Sequence, residues 1–459
     1  MKNNLYISQE DLPLFDLPQI FAASNTWFEA GMKDVVATFD LIVRDMPPNR
    51  NFLLFGGLDE IIKGVLSWTY SKEDVKYLLE AGVVTPKFAD YLKNFKFSGS
   101  IKAMKEGSVF FPGEPVIRIT APLIEANLIT MFVINALTGN TLFLSKIIRS
   151  VIASKPKDCL GVAGLRANSF EAALKCARAS YIAGAIGGNS VPAVAKKLGI
   201  PLIQPLTVAY HAVIKSFPTE LEAMKTMSNL YKGKISLMID TYDFEQGIKN
   251  AIIVAKELKE KDISLYGIMI DSGNLYERSV KAREMLDKED LNDVKITIAS
   301  NLDEYKIKEL NEKSIPADAF LIATEAIAVP DAPKLETVYK LAKMKLGDKI
   351  TYCAKFSHGK ESYPGDKQVF RVFENGIMKE DIIGLENENL GEQLLIDIIK
   401  DGKLVYELPT IEKIKEFVKN QIWQLPKELL DIKKTSKYNV EISKNLELLF
   451  NKVKLEHSN

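Results

Sequence analysis

Between residues 235 and 324 the chain repeats one pattern: a short apolar run, a polar residue, then a helical stretch. Residues 235–239 lead into Asp240-Thr241-Tyr242-Asp243 and a helical pattern that reaches Leu258. The run 265–270 stops at Asp271-Ser272-Gly273-Asn274, and Leu275, Val280 and Met285 then recur at roughly helical spacing. Residues 294–299 end at Ser300-Asn301 before a helix to Leu310, and 319–323 end at Thr324. Asp240, Asp271 and Ser300 thus mark strand ends about thirty residues apart, the length of one strand-plus-helix unit on a parallel sheet. Polar residues gathered at the C-terminal ends of such strands are where an α/β barrel carries its chemistry.

The pattern starts near Lys155. An apolar run at 159–163 precedes Gly164-Leu165-Arg166, and a helix is expected over 170–182. A glycine-rich turn, 184–190, includes Gly188 and Ser190; a short helix, 191–198, and an extended segment, 201–210, then end at His211. The first third reads differently. Helices are expected at 17–28, 58–68 and 72–81, strands at 35–43 and 52–55, β-structure across 97–119 and a long helix over 124–152. After Ile350 the chain returns to β-structure, and from Ile411 it is helical and rich in lysine. We therefore expect residues 1–150 and 349–459 to form one α+β domain around an α/β barrel at 151–348.

Composition narrows the function. Sixty basic and sixty acidic residues cancel, so no global field marks nucleic acid or an anionic membrane as a partner. The N-terminal string MKNNLYISQEDLPLF lacks the apolar core of a secretory signal, and no run approaches about 18 uninterrupted apolar residues. Cys159, Cys176 and Cys353 are far apart, and three histidines offer no close Cys/His spacing, so neither a disulfide framework nor structural zinc is expected. A cytoplasmic protein acting on small molecules fits best.

Each candidate residue has a plain structural role beside its chemical one. Asp240 and Asp243 suit a diol, Mg²⁺ or a basic group, and equally suit capping the next helix. Asp271-Ser272-Gly273-Asn274 places a carboxylate, a hydroxyl and exposed N–H groups at a helix start, where anionic or sugar ligands bind. Arg166 can fork onto a carboxylate or phosphate, or form a surface ion pair. The 184–190 turn can offer N–H groups to an anion. His211 is either a structural histidine or a nucleophile. The residues alone lead to a barrel-containing enzyme for an anionic, sugar-like substrate.

Longer strings carry a resemblance. VATFDLIVRDMPPNRNFLLFGGLDE, GEPVIRITAPLIEANLI, SKIIRSV, LMIDTYDFEQGIKNAI, MIDSGNL, NLDEYKI, DAPKLETVYKLAKM and GKESYPGDKQVFR resemble, in order, the nicotinate phosphoribosyltransferase family over about 350 residues. The resemblance implies a type II phosphoribosyltransferase fold, an incomplete α/β barrel plus an α+β domain built from both chain ends. It implies homodimers with sites at the subunit interface. The implied reaction joins nicotinic acid to phosphoribosyl pyrophosphate with Mg²⁺, driven by ATP hydrolysis through a phosphorylated histidine. His211 lies close to that histidine, although a gapless match places Tyr210 there. Arg166 matches a substrate-contacting arginine, Asp240 and Asp271 carboxylates near the ribose and Mg²⁺, Ser190 the turn beside the base, and Thr324 the phosphate loop. The turn Ser272-Gly273-Asn274 falls at the ribose-phosphate end.

The chain also departs from the family pattern. Pro18 and Ala163 stand where the family has two aromatics that sandwich the pyridine ring, a stack worth about 0.5–1.5 kcal/mol per pair. Met269 replaces an arginine, Asn274 an acid, and Leu321-Ile322-Ala323-Thr324 a glycine-containing phosphate loop. A homologue using another base such as nicotinamide, or a silent one kept for binding or regulation, are the alternatives these departures raise.

Overall fold

The computed structural model describes residues 9–161, 166–186, 191–202, 206–208, 211–357 and 359–457. The chain divides into two compact units: Met1–Leu142, Lys334–Asp431 and Thr435–Asn459 form one, and Phe143–Pro333 with Ile432–Lys434 form the other. The boundaries differ from the expected 150 and 348. The first falls within the helix Thr130–Ser154. The second moves because Thr337–Leu346 pairs antiparallel with Val36–Val43, from Val36 opposite Lys345 to Val43 opposite Thr337. Its lysines at 340, 343 and 345 suit a half-exposed antiparallel strand, not a parallel strand buried on both faces.

In the inserted unit six strands form one sheet in the order Asp158–Leu160, Ala319–Leu321, Lys295–Ile298, Gly267–Ile270, Ile235–Met238, Leu206–Val208. Every neighbouring pair is parallel. All four residues of Ile235–Met238 and of Gly267–Ile270 are buried, which is why these strands read as unbroken apolar runs. The helices Phe244–Lys259, Leu275–Asp287 and Glu304–Glu312 each begin at a side-chain cap: Asp243, Asn274 and Asp303 accept the N–H three residues on. Each such cap contributes about 1 kcal/mol. Among the described residues the sheet stays open, with a parallel bridge from Leu160 to Ile186 at one edge. The same unit buries Glu304 between Lys146 Nζ at 2.6 Å and Arg149 Nε at 2.9 Å. Burial pushes that carboxyl up, and the two cations outweigh it and hold it below its ordinary range.

The other unit is built from both ends of the chain. Its seven-stranded sheet runs Lys349–Tyr352, Thr337–Leu346, Val36–Val43, Pro115–Pro122, Ser100–Ala103, Ile396–Lys400, Lys403–Leu404. A four-stranded sheet holds Glu392–Gln393, Lys367–Glu374, Ile377–Leu385 and Asn439–Ile442. The ends are joined by Arg371, which is 1% exposed. Its Nε and Nη2 donate to the two oxygens of Asp381 at 2.9 and 2.5 Å, and Nη2 also donates to the carbonyl of Val109 at 2.9 Å. The Tyr438 hydroxyl donates to Asp381, and its ring stacks on Phe111 with centroids 3.9 Å apart. The helical stretch Leu123–Ser154 is the one described segment long and apolar enough to cross a membrane, and 61% of its apolar window is buried inside the protein, as in a core helix.

Two outcomes test this core. Arg371→Met leaves Asp381 buried without its cation, so the urea unfolding transition should lose about 3–5 kcal/mol, far more than the loss of an exposed pair such as Lys313–Glu309. Burial, and then Asp381, raise the carboxyl of Glu114 well above its ordinary range, with Arg371 and the Phe111 N–H opposing. The folded protein thus holds a proton that the unfolded chain releases above about pH 4.3, and stability from this site falls as pH rises through the folded-state value. Glu114→Gln cannot ionise, so its urea midpoint should gain on the wild type between about pH 5 and about pH 8.

Candidate active site

Because the six strands run parallel, their C-terminal ends share one edge of the sheet. In spatial order that edge carries Arg166, Thr324, Ser300 with Asn301, Asp271, Asp240 and His211. Residues spread over some 160 positions of sequence are brought into one row.

Asp240 ties two strand ends together. Its side chain is 1% exposed, and Oδ2 accepts the Asp271 N–H at 3.0 Å and the Ser272 hydroxyl at 2.5 Å. Oδ1 is also buried and has no hydrogen-bond partner among the described residues. Asp271 stands beside it. Burial raises the Asp271 carboxyl, the charge of Asp240 raises it further, and His211, Arg166 and the Ser300 N–H pull it down. Asp240, His211 and Arg166 thus each lie within electrostatic reach of Asp271. His211 opens the helix His211–Lys215, and its Nδ1 is 3.0 Å from the Thr241 hydroxyl, which leaves Nε2 for a ligand. Arg166 Nη1 donates to Thr324 Oγ1 at 3.2 Å, so the guanidinium bridges two strand ends. Thr324 in turn opens the helix Thr324–Ala328.

The turns at this edge are conformationally strained. Ser300 and Asn301 both adopt positive φ, 84° and 47°, at a cost of about 1–2 kcal/mol for a residue such as serine. Lys306 Nζ donates to the Ser300 carbonyl at 3.0 Å and holds the turn. Gly273 has φ +73°, and a Cβ there would overlap the guanidinium of Arg278. Asn274 caps its helix by accepting the Glu277 N–H at 3.3 Å, the role its acidic counterpart could equally fill.

Seven of the residues singled out in the sequence therefore belong to one edge: Arg166, His211, Asp240, Asp271, Ser272, Gly273 and Thr324. Asn274 follows them as a cap. Gly188, Ser190, Ala163 and Tyr210 lie outside the described residues. Pro18 is the first residue of the helix Pro18–Glu29, a position where its missing N–H costs nothing. Met269 is fully buried in its strand and brings no charge to the edge. Two residues were missed. Thr241 was read only as part of the Asp240 turn, and the signal for it was adjacency to that carboxylate. Arg278 was not singled out, although four residues from a helix cap is the spacing that lets a long side chain fold back over its own turn.

The arrangement can do three things. Paired carboxylates stabilise a developing cation, guanidinium and hydroxyl groups receive phosphate oxygens, and a histidine with one nitrogen engaged presents the other as a nucleophile.

Known proteins agree with the fold. Residues 16–138 match the model of the nicotinate phosphoribosyltransferase (NAPRTase) N-terminal domain, and residues 390–450 that of the nicotinate phosphoribosyltransferase C-terminal domain. The nicotinate phosphoribosyltransferase pncB2 of Mycobacterium tuberculosis is 33% identical over 431 residues, covering 93% of this chain and 90% of that protein. The nicotinate phosphoribosyltransferase of Bacillus subtilis is 31% identical, covering 94% and 92%. In fold, the chain is similar to human nicotinic acid phosphoribosyltransferase, with TM-score 0.82 at 19% identity over 95% of this chain and 99% of that one. A nicotinate-nucleotide pyrophosphorylase from Pyrococcus furiosus shares the fold with TM-score 0.73 at 21% identity, over 92% and 99%. The fold, two matching domain models and relatives at least 31% identical over more than nine-tenths of this chain converge, and the chain belongs to the nicotinate phosphoribosyltransferase family.

Proposed function

We propose that the protein joins nicotinic acid to phosphoribosyl pyrophosphate, forming nicotinate mononucleotide and pyrophosphate for NAD salvage, with ATP hydrolysis driving the reaction. The observation that carries this reading is the pairing of Asp240 and Asp271 at the edge where Arg166, Thr324 and His211 also converge.

Departure of pyrophosphate from C1 of the ribose leaves oxocarbenium character on the ring. Asp240 and Asp271 place negative charge where that character develops, and their fixed geometry means little reorganisation is needed as it appears. Arg166 and Thr324 supply a cation and a hydroxyl for phosphate oxygens. The nitrogen atom of nicotinic acid attacks C1 as the C1–O bond breaks, so the pyrophosphate leaves with the bonding electrons and no proton moves at the carbon. Thr241 engages Nδ1 of His211, and Nε2 is the nitrogen that accepts a phosphoryl group from ATP in this reading.

The residues fit Mg²⁺. Among the described residues no cluster of three or more His, Cys, Asp or Glu side chains could hold a metal alone. The ion, however, commonly takes one or two carboxylates and completes its shell with substrate phosphates and water. Asp240, with its buried and unpartnered Oδ1, and Asp271 are the two carboxylates that would hold it. When bound it neutralises charge on the pyrophosphate. A cytoplasmic location, expected from the sequence, and a homodimer, implied by the family resemblance, complete the reading.

Purified protein with phosphoribosyl pyrophosphate, Mg²⁺ and ATP is given nicotinate, nicotinamide or quinolinate in separate reactions. Nicotinate mononucleotide from the first alone is the expected result, and product from nicotinamide alone would move the assignment to another base. Asp240→Asn and Asp271→Asn should each lower kcat by about a hundredfold or more. Phosphate from radiolabelled ATP should appear on the wild type and be lost in His211→Asn; label retained on that variant would remove His211 from its proposed role.

A further inference from the structure

We propose that Arg278 is an anion-binding residue of this site, holding a phosphate oxygen of the phosphoribosyl substrate. The inference rests on the reading just given for its ligand and on the following geometry for the residue itself.

Arg278 lies in the first turn of the helix Leu275–Asp287, and helical side chains lean towards the N-terminus of their helix. Its side chain accordingly folds back over the turn that starts the helix. One nitrogen, Nη1, donates to both the carbonyl and the hydroxyl of Ser272, at 2.8 and 2.7 Å. The guanidinium carbon lies 4.8 Å from the centroid of the Phe244 ring. Gly273 makes room for it, since any side chain there would collide with the guanidinium. The group is thus held in place by Phe244, Ser272 and Gly273 before any ligand arrives.

That hold uses only part of the guanidinium. Arginine has five donor hydrogens in a planar fork, and Nη1 accounts for two. Nε and Nη2 have no partner among the described residues, and the side chain is 29% exposed. The nearest carboxylate, Asp240 Oδ2, is 3.8 Å from Nη1, beyond hydrogen-bond reach, and is connected through the Ser272 hydroxyl, which donates to it. A guanidinium with unused donors, fixed by stacking and placed one hydroxyl away from the catalytic carboxylate, is suited to receiving an oxyanion. A substrate bearing a phosphate and a pyrophosphate must approach Asp240 and Asp271, and a second cation in addition to Arg166 offsets their repulsion. Pyrophosphate and ribose 5-phosphate present the same chemistry to such a group, and the test separates them.

Wild type, Arg278→Met and Arg278→Lys are compared in two ways. In steady state with nicotinate, Arg278→Met should raise KM for phosphoribosyl pyrophosphate by about tenfold to a hundredfold, leave KM for nicotinate within about twofold, and be partly rescued by lysine. In a thermal-shift titration with inorganic pyrophosphate or ribose 5-phosphate alone, one of the two should stabilise the wild type and lose that effect in Arg278→Met, naming the phosphate concerned. An unchanged KM for phosphoribosyl pyrophosphate, or a rise confined to nicotinate, overturns the proposal. If the wild type makes no nicotinate mononucleotide, the functional reading fails, while a binding effect that depends on Arg278 still upholds this one. Should the methionine variant not fold, the lysine variant decides: weakened anion binding without a fall in ligand-free melting temperature supports the role, and unchanged binding refutes it.

Discussion

A parallel strand can be followed by another only after the chain has crossed back, and this constraint organises the inserted unit. The three crossovers between Ile235–Met238 and Ala319–Leu321 are each one capped helix, and each return delivers the next strand in the same direction. Whatever polar residue follows a strand is therefore delivered to the same edge. Asp240 then converts adjacency into rigidity. Its carboxylate receives the N–H and the hydroxyl of the neighbouring turn, so two strand ends are fixed by one side chain. The carboxylate that holds the edge together is also the one with an oxygen left over for chemistry.

Much of this was legible in the sequence. Strands buried on both faces leave continuous apolar runs, and the polar residue that ends each run is conspicuous for that reason. Asp240, Asp271, Thr324, Arg166 and His211 could all be singled out directly, and the family resemblance attached roles to them. What could not be read depends on side-chain direction and on distant pairing. Arg278 lies on a helix where charged residues are ordinary, and only its rotamer brings it over the Ser272 turn. Thr337–Leu346 alternates lysines with apolar residues, and its true partner, Val36–Val43, lies some three hundred positions earlier. No local pattern encodes that pairing.

Buried charge is used differently in the cores and at the strand ends. Arg371 is paired with Asp381, and Glu304 with Lys146 and Arg149, so neither core leaves an orphan cation. At the strand ends the pairing is deliberately incomplete in physical effect: an oxygen of Asp240 and two nitrogens of Arg278 lack partners among the described residues. Unsatisfied groups of this kind cost stability when no ligand is present, and they are the groups a polar ligand satisfies. Strain at Ser300 and Asn301 falls on the same edge.

The assembly of one unit from both ends of the chain has a kinetic consequence. During synthesis Val36–Val43 and Pro115–Pro122 emerge early, yet one edge of that hairpin-like pair waits for Thr337–Leu346. An open strand edge is a site for wrong partners. The intervening segment, nearly two hundred residues, would impose a heavy loop-closure penalty as a flexible chain. Once that segment has folded on its own local contacts, its two ends are held at fixed positions and the remaining search is short. The inserted unit would then be more than a scaffold for the reactive edge: folding first, it would lower the effective contact order of the unit whose chain segments flank it in sequence.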